Sequence, residues 1–383
     1  MNGYQTMVPG QYTACYINSN RYEAQNVIQH LNAVGGLHVS YLAPPADLSL
    51  DLIHPDTQLF LVDWELDRLQ ESGVKVDYKG NTFARRIRDK FPHIPIALTT
   101  NQVIPANRRH YFVDPYLFDA QILKPSMVNE PEHVVAHCLN LIKGHQKLEK
   151  APKTWSGLME VLGVKEGENE LYSEEEKIAE AAPPLLKENG GVTWLASELA
   201  KWIQEVLLAY PGILLDQLSA ATYLGITVEE FLSENVRRAG MPVQKLFQEA
   251  RYEGVLAPAE GRWWKERLNS AAIDLIVEAE LGPGSIYDRF YRAFEQVYGQ
   301  KLQLAECVYS KKKPADQVCY ILKKPVLLEY TLLYMPDNRP RVMNYALVSF
   351  EAIRRSDEVI DKYFPLSNRD LAQEVRNWPE DEF

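Results

Sequence analysis

The sequence predicts an α/β fold, a doubly wound parallel sheet, over the first 150 residues, and a mostly α, α+β region after them. Three observations predict this. Short apolar runs alternate with helix-period segments as far as residue 150, which is the pattern of βαβ units. One of those runs, Gln58–Val62 (QLFLV), reads as a continuous apolar strand, the kind buried on both faces of a parallel sheet. Composition also changes at the same place: all eight histidines precede residue 146, and six of the seven tryptophans follow Lys150.

The elements follow in order. Tyr12–Ile17 is the first strand, Arg21–Leu31 the first helix and Leu37–Leu42 the second strand, with QLFLV third. Thr82–Phe91 is a helix stopped by Pro92, because proline lacks the amide a helix needs. Ile94–Leu98 and Ala120–Leu123 are further strands. Glu132–Leu148 carries Val134, Val135, Cys138, Leu139, Leu141 and Ile142 at helical spacing.

The chain of 383 residues has 41 Lys+Arg against 52 Asp+Glu, net −11. Residues 1–150 carry 14 and 15 of these, net −1, so 151–383 carry net −10. Half of that excess lies in Lys165–Glu188, with eight acids and three lysines, a solvated connection or an exposed helix between domains by composition. An acidic C-terminal region disfavours nucleic acid as a partner, since phosphate binding needs clustered Lys and Arg. Arg85, Arg86, Arg88, Arg108 and Arg109 read as solvated faces. The four cysteines form no CxxC and suit reduced thiols in the cytoplasm. No targeting segment is read at Met1–Pro9, and no apolar stretch reaches the ~18 residues of a membrane span.

In doubly wound sheets the working groups sit at the carboxyl ends of the strands. There the sequence places Asn18, Ser19 and Asn20 after the first strand, Asp63 after QLFLV, Thr99 after IPIAL, and Lys124–Pro125 after AQIL. A carboxylate, a hydroxyl and an ammonium on one rim suit phosphoryl chemistry. LVDWELD, IALTT and ILKPS, in that order on predicted strands, resemble the receiver domain of bacterial response regulators over about Gln11–Lys147. The resemblance implies a flavodoxin-like sheet, with Asp63 as the phosphoacceptor match, Thr99 the switch hydroxyl and Lys124 the phosphate-sensing lysine. It also exposes departures. Asn18 and Ser19 stand where the family has a Mg²⁺-binding pair of acids, Asp67 where it has a proline, and Gln121 where it has an aromatic switch residue; Gln70–Lys79 is an enlarged loop. Neutral ligands hold Mg²⁺ far more weakly than carboxylates. The expectation is therefore a pseudo-receiver with no catalytic residue, no cofactor and no metal. A purely structural Asp63–Lys124 ion pair, with Thr99 capping its own loop, stays open beside it.

Four segments are expected: a receiver-like domain (1–150), an acidic connector (151–192), an α-helical region (193–300) with a helix-turn-helix-like segment, and a small α+β region (301–383) with antiparallel strands. Thr193–Tyr210 places Leu195, Leu199, Trp202, Ile203, Val206, Leu207 and Tyr210 on one helix face, with Thr193 as N-cap. Two short helices joined at Gly225 resemble an excisionase- or MerR-type helix-turn-helix, with Thr227 and Glu230 as a capping box. Its second helix would run Val228–Arg238, and Trp263–Trp264 would sit in a wing. Glu229, Glu230 and Glu234 on the exposed side of that helix would repel DNA. Arg262–Glu280 and Ile286–Tyr298 are helices, with LGPGS between them. Leu302–Tyr309, Asp316–Leu322, Val326–Tyr334 and Arg341–Phe350 are strand candidates, and Ala352–Tyr363 and Asn368–Val375 are closing helices. With no histidine after residue 145, no Ser-His or Cys-His system fits there.

The functional expectation is a cytoplasmic, non-enzymatic signalling or regulatory protein. Its receiver-like domain would bind a protein partner, as a homodimer or hetero-complex, and the C-terminal region would be the output or assembly surface. The alternatives are a DNA-binding transcriptional regulator and a phosphorylatable response regulator with an unusual output domain.

Overall fold

A computed structural model describes residues 11–101, 117–164, 174–182, 195–208, 212–233, 243–334, 346–355, 359–360, 364 and 366–377. The chain divides into two compact units. The first comprises Met1–Gly163, Pro183–Gln204 and Gly254–Ala259; the second comprises the remainder.

The first unit holds a five-stranded parallel sheet of β1 (Tyr12–Ile17), β2 (Leu37–Leu42), β3 (Leu59–Asp63), β4 (Ile96–Thr100) and β5 (Ala120–Leu123). The spatial order is 2-1-3-4-5, the flavodoxin-like order that CheY shares. Helices α1 (Arg21–Val34), α2 (Gly80–Lys90), α3 (Lys124–Asn129) and α4 (Pro131–Lys150) accompany it. Alternation along the strands feeds two cores. Ala14, Tyr16, Leu59, Leu61 and Ala97 pack with α1 and α4 residues such as Val27, Leu31, Val135 and Cys138. Cys15, Ile17, Phe60, Val62 and Ile96 pack with Phe83, Ala84 and Ile87 of α2. All five β3 residues are buried, which is why QLFLV is apolar without alternation.

Arg88 of α2 departs from the solvated face expected of it. Its guanidinium donates to the Pro92, Ile94 and Leu117 carbonyls, at 3.1–3.2 Å, and to Asp119 Oδ2 at 2.6 Å. Arg85 and Arg86 are exposed, as expected, and Arg108 and Arg109 lie outside the described residues. Asp119 Oδ2 also accepts from the Ile96 amide at 2.7 Å, and Asp119 Oδ1 lies 3.8 Å from His145 Nε2 of α4. The His145 imidazole is 1% exposed. Burial holds its pKa below the ordinary 6.5, against the pull of Asp119. Below about pH 6.5 the unfolded chain therefore binds a proton that the folded chain resists, so this histidine lowers stability as the pH falls. Urea titrations from pH 7 to 5 are expected to show that decline and to show a shallower one in His145→Gln; equal slopes would contradict it.

Ala196–Trp202 packs within the same unit and is buried on most of its surface. The continuous amphipathic helix expected over Thr193–Tyr210 is not what forms. The α-helix gives way to a π-turn at Ile203–Leu207, which adds a residue to the turn and shifts the apolar face. Leu195 precedes the helix and is 52% exposed. Thr193 and Tyr210 lie outside the described residues.

In the second unit, helix Gln217–Tyr223 is followed by Gly225 at φ +75 and by helix Val228–Leu232. Thr227 Oγ1 caps the latter by accepting from the Glu230 amide. The helix stops at Leu232, with Ser233 extended at ψ 121, short of the expected Arg238; residues 234–242 lie outside the described residues. Glu230 is buried, 4% exposed, against the expected exposed carboxylate. Gln300 Nε2 approaches it at 3.5 Å. Trp263 and Trp264 are buried and pair antiparallel with Leu214–Leu215, so they form core instead of the expected wing. Helices Lys265–Glu278 and Ile286–Tyr298 pack around Leu268, Leu275, Phe290 and Phe294.

Two of the four expected C-terminal strands change. Leu302–Tyr309 is not a strand. Cys307 Sγ accepts from the Ser310 and Leu327 amides and folds the chain into a turn completed by Lys311 at φ +60. Val326–Tyr334 is split by a 3₁₀ turn at Leu328–Tyr330, fixed where Asp316 Oδ1 accepts from the Leu328 amide. Gln317–Cys319 pairs with Lys324–Val326, and Thr331–Tyr334 with Ala346–Ser349. Phe350–Arg355 and Leu366–Asn377 are helices. All four cysteines are free and buried. No helix among the described residues is long and apolar enough to cross a membrane.

Candidate functional site

Parallel register brings the expected residues to one rim. Ile17 pairs with Val62, Asp63 with Thr99, and Thr100 with Leu123, so Asn18, Asp63, Thr99 and Lys124 follow one another across the strand ends. The Trp64 amide donates to the Thr99 carbonyl at 3.1 Å and locks β3 to β4 beside the site. Gly80 at the start of α2 donates to the Trp64 carbonyl. A Cβ on Gly80 would stand 2.2 Å from the Asp63 carbonyl oxygen, so the close approach requires glycine.

Lys124 is the hub. Its ammonium meets Asp63 Oδ2 at 2.8 Å and Glu23 Oε1 at 2.9 Å, and its side chain is 4% exposed. Asp63 Oδ1 accepts from the Glu65 amide at 3.3 Å. Burial raises the Asp63 pKa above its ordinary value, while Lys124 opposes the rise. Glu23 was not singled out in the sequence. It reaches the site because Asn20 caps α1, its Oδ1 accepting from the Glu23 amide, which places residue 23 on the helix turn facing the rim.

Asn18 and Ser19 are both buried, and their polar atoms are committed. Asn18 Nδ2 donates to the Tyr16 hydroxyl at 2.8 Å and its Oδ1 accepts from the Asn20 amide at 2.8 Å; Ser19 Oγ donates to the Glu65 carbonyl at 3.1 Å. Tyr16, 0% exposed, is the second residue that the sequence reading missed. Its position on an apolar strand conceals the hydroxyl at its tip. Burial, then the charge of Asp63, pushes the phenol upward, with Asn18 and Thr99 acting in the opposite sense. Thr99 Oγ1 is buried and makes no hydrogen bond of good geometry among the described residues. Asp67 and Gln121 are half-buried. Among the described residues no group of three or more His, Cys, Asp or Glu is arranged to hold a metal ion.

No family model and no curated protein matches the chain. Solved structures that cover about a third of this chain include receiver domains of response regulators. DrrB of Thermotoga maritima, an OmpR/PhoB homologue, is 16% identical with TM-score 0.26 over 35% of this chain and 53% of its own; the match thus spans about half the length of DrrB. A CheY-like receiver domain protein of Methanospirillum hungatei is 17% identical with TM-score 0.28 over 36% of this chain and 98% of its own. The orphan response regulator HP1043 of H. pylori is 17% identical with TM-score 0.25 over 34% and 98%. Such identities and scores leave function to be argued from the residues themselves.

Proposed function

We propose that this chain is a non-enzymatic signalling or regulatory protein whose first unit is a pseudo-receiver. It would dock a protein partner through surface contacts instead of receiving a phosphoryl group. The carrying observation is the commitment of Asn18 and Ser19. A hard dication wants anionic oxygens, yet the end of β1 offers an amide and a hydroxyl already engaged with Tyr16, Asn20 and Glu65. The nearby carboxylates, Asp63 and Glu23, share an ammonium that would repel Mg²⁺. These residues do not fit the ion. The second unit would serve as the output or assembly surface, in a homodimer or hetero-complex. Nucleic acid is disfavoured there by net charge and by the buried Trp263–Trp264 pair. The same reading places the protein in the cytoplasm, where thiols stay reduced.

One observation favours a phosphorylatable site instead: Thr99 Oγ1 is buried and, apart from its interaction with the Tyr16 phenol, makes no hydrogen bond of good geometry among the described residues, so a phosphate oxygen could accept from it. One experiment separates the two. Incubation with Mg²⁺ and acetyl phosphate, followed by intact-mass measurement, is expected to leave the protein unmodified. One equivalent of phosphate that is absent from Asp63→Asn would overturn the pseudo-receiver reading.

A further inference from the structure

A crevice of about 380 Å³ lies in the first unit, away from the strand-end rim, between α4 and the segment Gly254–Leu256. Its wall is built and fixed. Asn140 Nδ2 donates to the Ala257 carbonyl at 3.0 Å, and the Val255 amide donates to the Val161 carbonyl at 2.9 Å. Gly144 lets the segment lie against the helix: a Cβ there would come within 2.4 Å of Leu256 Cδ2. The lining includes Lys143, Lys147 and Lys150, and no carboxylate side chain. These lysines are spaced i, i+4 and i+7, so they share one face of α4. All three are exposed. Lys143 lies over the Tyr12 ring at 5.7 Å, and none of the three ammonium groups makes an ion pair among the described residues.

Three like charges on one face repel one another, and at i, i+4 that repulsion destabilises a helix. An anion seated between them relieves it. The volume falls in the range of small-molecule sites, ~300–1,000 Å³, and lysine binds phosphate as a point charge without requiring planar geometry. We propose that this crevice binds a small polyanion bearing two or more linked phosphate groups.

Isothermal titration calorimetry of the full chain with inorganic tripolyphosphate at low salt tests it, with sulfate as the single-anion control. The expected result is saturable one-to-one binding, tighter than for sulfate and weakening as salt rises. Each Lys→Gln change removes roughly a fivefold factor, so K143Q/K147Q/K150Q is expected to lose about a hundredfold, while the charge-matched K75Q/K90Q/K301Q keeps its affinity. K147Q alone serves as a second variant whose fold is disturbed less. Co-sedimentation with phosphatidylcholine vesicles carrying a phosphoinositide distinguishes a lipid headgroup from a free ligand as the source of the phosphates. No saturable binding, or equal losses in the two triple variants, would overturn the proposal.

Discussion

Replacing Asp119 by alanine is expected to destabilise the parallel-sheet unit by about 3–5 kcal/mol, the range for removing one partner of a buried ion pair. The carboxylate does three things from one position. It neutralises Arg88 at 2.6 Å, satisfies the Ile96 amide at 2.7 Å at the start of β4, and faces His145 across 3.8 Å. Its own backbone amide donates to the Ile96 carbonyl at 2.8 Å, so the side chain ties β4 to β5 where α2 ends. Removal leaves a guanidinium that is 14% exposed without its counter-charge and a buried strand amide without its acceptor. Arg88 keeps its three carbonyl acceptors, so Asp119→Asn is expected to retain part of the stability. Denaturant midpoints at constant m-value measure the difference; a loss under 1 kcal/mol for the alanine variant would show that the cluster is not what holds these elements together.

The second large effect is expected at Lys124. Lys124→Met removes the ammonium that Asp63 and Glu23 share, leaving a buried carboxylate at a cost of about 3 kcal/mol at pH 7. Asp63→Asn is expected to be milder, near 1 kcal/mol, since burial already opposes its ionised form and Lys124 keeps Glu23. The double variant is expected to cost less than the sum of the singles, by a coupling of roughly 2 kcal/mol. The pH dependence has a definite sign. The folded-state pKa of Asp63 lies above the ordinary 3.8, so the folded form holds its proton more tightly, and ionising it as the pH rises costs stability. Without Lys124 that pKa climbs further, so the Lys124→Met deficit should shrink as the pH falls toward 5. A deficit that is constant with pH would show that Asp63 is not the group left unpaired.

What was legible in the sequence follows from the physics of parallel sheets. A strand buried on both faces, such as β3, reads as an apolar run, while the edge strands β2 and β5 are only partly buried and carry polar residues, yet the bounds of β1, β2 and β5 coincide with those expected from the sequence. The residue at each strand end lies on the rim because register is regular, so the sequence alone brings Asp63, Thr99 and Lys124 together. Glu23 and Tyr16 are not legible in this way, because one arrives through a helix cap and the other hides a polar atom on an apolar strand. Arg88 looks like its neighbours Arg85 and Arg86 in the sequence, since nothing local marks the guanidinium that meets three carbonyls and a carboxylate. In the C-terminal region, β-prone composition misled at Leu302–Tyr309, where sulfur-accepted hydrogen bonds at Cys307 turn the chain.

The division of the chain bears on synthesis. The first unit takes residues from three separate stretches, and the last, Gly254–Ala259, is made only after two stretches of the second unit, Val164–Ala182 and Glu205–Glu253. On the ribosome the sheet can form early, yet α4 waits for Ala196–Trp202 and then for Leu256 to cover it. A chain cut after residue 150 would keep every strand and still leave α4 uncovered where those segments pack. Its failure to behave as a soluble fragment would report on this late-arriving cover, and not on the strand-end site.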